Sequence, residues 1–332
     1  MFTFRKTVSS AFSIILSLAL LMSAFTGIPI RLFRQKLYTE NDVLAFVCDL
    51  NRMTADYNDY EQKLSENKNN IGLSTNRLIL KTEDEIADTN SVASVFGIGY
   101  QILQYDDMES LQSDKEFFLS RGYELCTDEI ITEAEYSSDA LSDGDDMWSY
   151  EHLNVDNNKN QFNSSDCDEI VIGVIDSGID YNHELFTGRI ITNNVNFSSS
   201  GRPNDSSDDK GHGTAVSGVI AKSTPDNVKI KPYKFLNSLG KGTVAQFIAV
   251  AEYILSEKDK PDILNMSFGS YNFDGDDLQT ELCERLSDAG ITVVLSSGND
   301  NLPVKYISPA GAESAITVGS YNSQMHISSF SN

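Results

Sequence analysis

The sequence predicts an α/β chain whose second half is a doubly wound parallel sheet, preceded by a small α+β domain. Three observations predict it. Unbroken apolar runs such as Ile170-Val171-Ile172-Gly173-Val174-Ile175 suit strands covered on both faces, the condition of parallel sheets. Stretches of helical period separate these runs, giving the strand–helix alternation of an α/β domain. A polar, acidic segment from Ser137 to Asp146, containing Gly144, separates this regular half from an irregular one and reads as a protease-exposed linker.

Length and charge narrow the function classes. A chain of 332 residues with 40% hydrophobic content can bury a sizeable core, and the length suggests two units. The formal charge of −24 excludes nucleic acid as a partner, because phosphate binding needs clustered Lys and Arg. Four cysteines (Cys48, Cys126, Cys167, Cys283) show no Cys-x-x-Cys spacing, which argues against a zinc site and against a disulfide framework. Cys167 and Cys283 could pair only if the fold brings them close.

Arg5 and Lys6 precede an apolar run from Val8 to Met22 and then Ser23-Ala24-Phe25-Thr26-Gly27, the layout of a secretory signal over residues 1–27. An uncleaved membrane anchor is the rival reading, since the run to Ile30 is nearly long enough to span. Val43, Val47, Leu50, Met53, Tyr57, Tyr60 and Leu64 recur at three or four, predicting an amphipathic helix from Leu37 to Leu64. Strands are predicted at Arg77–Lys81, Tyr100–Tyr105 and Tyr123–Thr127, with a helix from Met108 to Ser120. This small α+β domain covers about residues 77–130. Gly97-Ile98-Gly99 reads as a turn, since a phosphate loop needs a third glycine and a helix.

The second half, residues 146–332, carries the chemistry. Strands are predicted at Glu169–Ile175, Val228–Leu236, Ile263–Met266, Ile291–Leu295 and Ala315–Gly319, and helices at Thr214–Ala221, Thr243–Ser256 and Leu278–Ala289. In such folds ligands gather at the C-terminal ends of the strands. Asp176, Ser267 and Asn299 all follow strand ends. His212 stands between Gly211 and Gly213 at a helix start, which Thr214 is placed to cap. A carboxylate at Asp176 could fix the imidazole tautomer and leave its other nitrogen as a general base. Asn299, after Ser297-Gly298, could donate to a developing oxyanion. Each residue alone has a bland reading: a cap for Asp176, a packed histidine for His212, a turn for Gly298-Asn299.

Together these segments resemble a known family. Val174-Ile175-Asp176-Ser177-Gly178-Ile179-Asp180, Gly211-His212-Gly213-Thr214, Asn265-Met266-Ser267-Phe268-Gly269 and Ser297-Gly298-Asn299 are similar, in type and order, to the motifs of the subtilisin-like serine peptidases, the subtilases. The resemblance implies a secreted endopeptidase precursor with Asp176 orienting, His212 as base and acid, and Asn299 stabilising the tetrahedral intermediate. It implies that Gly240 and Gly242 on one side and Ser267, Phe268 and Gly269 on the other pair with an extended polypeptide substrate, with Gly298 in the wall of the pocket before the scissile bond. Trp148–Leu153 resembles the start of a mature subtilase. Residues 28–145 become a pro-region, of which Arg77–Glu129 resembles the pro-domain that assists folding and blocks the cleft as an intramolecular inhibitor. The helix over Leu37–Leu64 is not part of that pattern.

One motif departs from it. A subtilase nucleophile stands in Gly-Thr-Ser-x-Ala, which these residues do not contain, and Ser328-Ser329-Phe330-Ser331-Asn332 resembles the segment that precedes it. The expectation is a sequence incomplete at its C-terminus and inactive by itself; the second expectation is a natural truncation, a non-catalytic peptide-binding protein. A nucleotide-binding domain is a weaker third, for want of Gly-x-Gly-x-x-Gly. No cofactor is expected. Asp205, Asp208 and Asp209 could ligate calcium, but a solvated acidic loop is the simpler reading. His183 reads as structural, and His152 and His326 as surface or packing residues. A membrane partner is expected only if the N-terminal segment stays uncleaved.

Overall fold

The computed structural model describes residues 38–55, 74–134, 148–156, 159, 169–272 and 277–332. The signal or anchor expected over residues 1–27, the end of the first helix, the linker at 137–146 and Cys167 lie outside them. The described residues form one compact unit within Tyr38–Asn332.

Helix α1 (Glu40–Ala55) starts where Thr39 Oγ1 accepts from the Asp42 amide and Asp42 accepts in return from the Thr39 amide. Its apolar stripe, Val43, Phe46, Val47 and Leu50, is buried. The α+β layer follows as β1 (Ser74–Lys81), β2 (Ala93–Gly97), β3 (Tyr100–Gln104), α2 (Met108–Ser120) and β4 (Leu125–Glu133). Strand β1 lies between β3 and β4, antiparallel to both, and β2 pairs with β3. The sequence pattern missed β2, whose five residues have a single buried side chain, Val95, and so no alternating stripe. The turn expected at Gly97-Ile98-Gly99 is its hairpin loop, with left-handed φ of 48° at Ile98 and 81° at Gly99.

Side chains of β1 alternate between two cores. Leu78 and Leu80 pack with Leu103, Tyr105, Leu111 and Phe118 beneath α2. Ile79 joins α1 in the larger core shared with the second half of the chain. Burial on both faces explains why Leu78-Ile79-Leu80 is an unbroken apolar run.

The second half runs through α3 (Trp148–His152), β5 (Ile170–Asp176), α4 (His212–Ser223), β6 (Val228–Lys234), β7 (Lys241–Thr243), α5 (Val244–Ser256), β8 (Ile263–Met266), β9 (Phe268–Tyr271), α6 (Leu278–Asp288), β10 (Thr292–Ser296), β11 (Ile307–Ser308) and β12 (Ile316–Val318). Five of these strands form a parallel sheet in the order β12-β10-β8-β5-β6. Val216, Ile220 and Ala221 of α4 pack on Ile172, Val174 and Ile230. On the other face Phe247, Ile248 and Leu282 of α5 and α6 meet Ile175, Leu264 and Val293. The sheet is therefore doubly wound, as the sequence predicts. The chain leaves β5 for β6 on one side and returns to β8 on the other, so the crevice at this reversal opens between the ends of β5 and β8.

Strand β4 joins the two layers. The sequence pattern ends it at Thr127, but it runs on to Glu133 and enters a second set of pairings, Ile130 with Thr243, Ile131 with Gly242 and Thr132 with Gly269. The apolar pattern breaks at Asp128 because that carboxylate is buried for a reason of its own. It lies 3.5 Å from Arg77, both side chains almost fully enclosed, and its Oδ1 accepts from the Ala245 amide at 2.9 Å in the first turn of α5. Thr243 and Gln246 complete that helix start as a capping box.

Asp128→Ala is expected to destabilise the chain by about 3–5 kcal/mol, because it leaves the Arg77 guanidinium buried without its counter-charge. Urea unfolding measures this, and a shift near zero would show that the Arg77 Nε bond to Gln104 suffices.

Candidate active site

Asp176 ends β5 and is completely buried. Its Oδ1 accepts from the Ser177 amide at 2.7 Å, and His212 Nδ1 lies 2.7 and 2.9 Å from its two oxygens. The carboxylate thereby holds the imidazole in one orientation. With Nδ1 committed to Asp176, proton transfer falls to Nε2. The expected partnership of these two residues is present.

His212 is the first residue of α4, and close packing sets its position. A Cβ on Gly213 would lie 2.3 Å from the Gly178 carbonyl oxygen and 3.2 Å from Asp176 Cβ, so only glycine lets the helix start touch the strand end. Gly211 occupies the N-cap position in the left-handed region, φ 99°, and has no side chain to cap with.

Thr214 does not cap this helix, contrary to the sequence expectation. Asp208 does. It accepts from the Lys210, Gly211 and Thr214 amides and from the Ser177 and Thr214 hydroxyls. Burial pushes the Asp208 carboxyl up, but the bonds from Thr214, Gly211 and Lys210 outweigh it and hold the pKa at about 2. Asp209 pairs at 2.6 Å with Lys234, whose buried ammonium also donates to the Ser177 and Ser207 carbonyls. The loop is largely solvated, with Asp205 and Asp209 exposed, yet Asp208 and Asp209 also tie it to β5 and β6. Asp205 bonds locally to the Ser207 amide. Among the described residues no group of three His, Cys, Asp or Glu side chains is arranged to hold a metal ion. His183 Nδ1 accepts from Leu185, a structural role, and His152 and His326 are exposed. Cys283 is buried in the core, where desolvation pushes its thiol up.

Asn299 follows β10 in a half-buried loop, so it shares the C-terminal sheet edge with Asp176 and Ser267. Gly298 adopts φ 97°, and Asn332 pins the loop. The Asn332 side chain donates to the Ser297 carbonyl at 2.9 Å and accepts from the Asp300 and Leu302 amides. Gly240 and Gly242 lie at β7 and Ser267 to Gly269 at β9, and the end of β4 is inserted between them. Glu133 N donates to Gly240 O and Ala134 N to Ser267 O, both at 3.0 Å, and Ile131 pairs with Gly242. Phe268 contributes only backbone here, because its ring is buried against Phe235 and Phe247.

Residue patterns missed four participants, Glu133, Lys210, Lys234 and Asn332, and singled out Asp208 for a different role. Only Lys234 left a sequence signal, as a cation inside an otherwise buried strand run.

Comparison with known proteins bears on this arrangement. Residues 168–332 match the model of the Subtilase family. The extracellular serine proteinase of Thermus sp. (strain Rt41A) is 35% identical over 162 residues, covering 48% of this chain and 38% of that protein. Alkaline serine exoprotease A of Vibrio alginolyticus is 28% identical over 234 residues, 69% of this chain and 42% of that protein. The chain thus spans less than half the length of these relatives. The crystal structure of the epidermin leader peptide processing serine protease from Staphylococcus aureus aligns with a TM-score of 0.55 over 79% of this chain and 72% of its own, at 19% identity, a likeness of fold.

The environment of His212 fixes its titration. Burial pulls the imidazole pKa down, but the hydrogen bond and charge of Asp176, with the charges of Glu133 and Asp208, outweigh it and raise it above 6.5. Since folding raises this pKa, its stabilising contribution is complete below the unfolded value and lost as pH rises through the folded one. NMR titration of the His212 ring is expected to show a midpoint above 6.5, lowered by Glu133→Gln and lowered further by Asp176→Asn. A midpoint indifferent to both substitutions would contradict this account.

Proposed function

Residues 168–332 belong to the subtilase family, and from that premise we propose that the chain acts within a secreted serine endopeptidase precursor. Asp176 orients His212, His212 moves the proton between nucleophile and leaving group, and Asn299 supplies an oxyanion donor. The substrate is a polypeptide in extended form, held as a third strand between β7 and β9 by main-chain hydrogen bonds. The α+β layer is an intramolecular inhibitor. Export follows from the signal-like residues 1–27, and the name of the Thermus relative, an extracellular proteinase, agrees with it.

The observation that carries this reading is the end of β4. Ile131 to Ala134 occupies the groove between the two strands in antiparallel register, and the Glu133 side chain reaches to 4.0 Å from His212 Nδ1. The chain's own segment lies where a substrate would lie. On this reading the bond after Ala134, the residue paired with Ser267, is the one presented for maturation cleavage.

The serine that completes the chemistry is not in a recognisable motif within residues 1–332. In subtilisin, removing the nucleophile costs about 2 × 10⁶ in kcat, and removing the oxyanion asparagine about 10²–10³. Residues 1–332 expressed alone are therefore expected to hydrolyse no peptide and to take no fluorophosphonate label. The same chain extended by a subtilase segment bearing Gly-Thr-Ser-x-Ala is expected to take label and to cut itself after Ala134, with both activities lost in His212→Ala. A folded, extended chain that takes no label would favour a non-catalytic peptide-binding protein instead.

A further inference from the structure

Among the described residues of the β4 tail, Glu133 is the charged side chain that enters the cleft. Its side chain is 8% exposed, and Oε1 lies 2.9 Å from Lys210 Nζ. Oε2 is buried with no hydrogen-bond partner and faces His212 Nδ1 at 4.0 Å. Beneath the carboxylate is Gly240, where a Cβ would fall 2.5 Å from Glu133 Cδ and within 2.8 Å of both oxygens. The slot between Lys210 and Gly240 is thus open because residue 240 has no side chain, and a carboxylate fills it.

Lys210 is not a loose surface cation. Its amide donates to Asp208 Oδ1 at 3.0 Å, the carboxylate that also caps α4 beside His212. The backbones of Lys210 and His212 therefore stand on one braced turn, from which the partly exposed Lys210 side chain reaches Glu133. Glu133 is held equally firmly, because its own amide donates to Gly240 O. Only the backbones of the two residues are fixed, so ordering the two long side chains costs rotamer entropy that the enclosed contact offsets. A like charge in place of Glu133 would face Lys210 at close range in a partly enclosed site, where water screens poorly. An apolar side chain there would cover the ammonium without pairing it.

We propose that Lys210 is a specificity-determining residue that selects an acidic side chain at the second position before the scissile bond, with Glu133 as its built-in ligand. This rests on the reading of the cleft as a peptidase site with the bond after Ala134 presented. It places the preference two residues before His212 in sequence, on the wall of the cleft that carries the base. Peptides with glutamate or aspartate at that position are the substrates the cleft favours, and peptides with lysine or arginine there are disfavoured.

The tail can serve as a tethered substrate, so the test needs no hydrolysis. In the full 332-residue chain, residue 133 is varied through Glu133→Gln and Glu133→Lys, each with Lys210 intact and with Lys210→Glu. Opening of the tail is read from hydrogen exchange of the amides at 133 and 134, which donate to Gly240 and Ser267, and β5 amides report that the fold is intact. With Lys210 present, exchange is expected to be about tenfold faster for the glutamine tail than for the glutamate tail, and faster again for lysine. With Lys210→Glu the order is expected to invert, the lysine tail exchanging slowest. Lys210→Met, which removes charge without reversing it, is expected to bring the glutamate and glutamine tails together and keeps the test available if a reversal unfolds the chain. The same order of tails whatever stands at 210 would overturn the proposal. Because exchange is measured without turnover, that failure is separate from a failure of the peptidase reading, which the labelling experiment decides.

Discussion

Strand β4 belongs to two layers at once, and most of the architecture depends on that. Its first half completes an antiparallel sheet with β1, while its second half fills the gap between β7 and β9. Without it, β7 and β9 would each expose a row of backbone donors and acceptors to the cleft. The buried Arg77–Asp128 pair sits where the strand passes from one layer to the other, and Asp128 also meets the start of α5. Main-chain pairing and one enclosed ion pair thus join the α+β layer to the parallel sheet. Apolar packing of α1 and β1 against the shared core adds to the joint.

Within the site, one carboxylate does the positioning. Asp208 gathers the first turn of α4 and the Ser177 hydroxyl, so the end of β5 and the start of α4 form a single hydrogen-bonded unit. Gly213 allows the two to touch. Lys234 ties the same unit from below, donating to Ser177, Ser207 and Asp209. The Asp176–His212 contact follows from this support, since a 2.7 Å bond between two buried side chains persists only where both backbones are held.

The same support explains the electrostatics of the cleft. Three carboxylates, on β5, β4 and the acidic loop, raise the His212 pKa against the effect of burial. One of them, Glu133, arrives with the tail. A seated tail therefore favours a protonated imidazole, and a vacated cleft favours a neutral one.

The sequence by itself determined the parallel sheet, its covering helices, the α+β layer and the Asp176, His212 and Asn299 candidates. Each rests on local information: unbroken apolar runs, helical period, glycines around a histidine, and polar residues where apolar runs stop. Tertiary structure alone decided where β4 ends, because Asp128 and Glu133 read as polar strand breakers until Arg77, Ala245 and Lys210 are placed beside them. It also moved the helix cap from Thr214 to Asp208 and gave a solvated acidic loop the further role of bracing the site. It showed Phe268 to be a core residue whose backbone faces the cleft. In each case the deciding partner is distant in sequence or lies across a tight turn. The physical reason is the same: the energy of a buried charge or an unpaired backbone group depends on what the fold places against it.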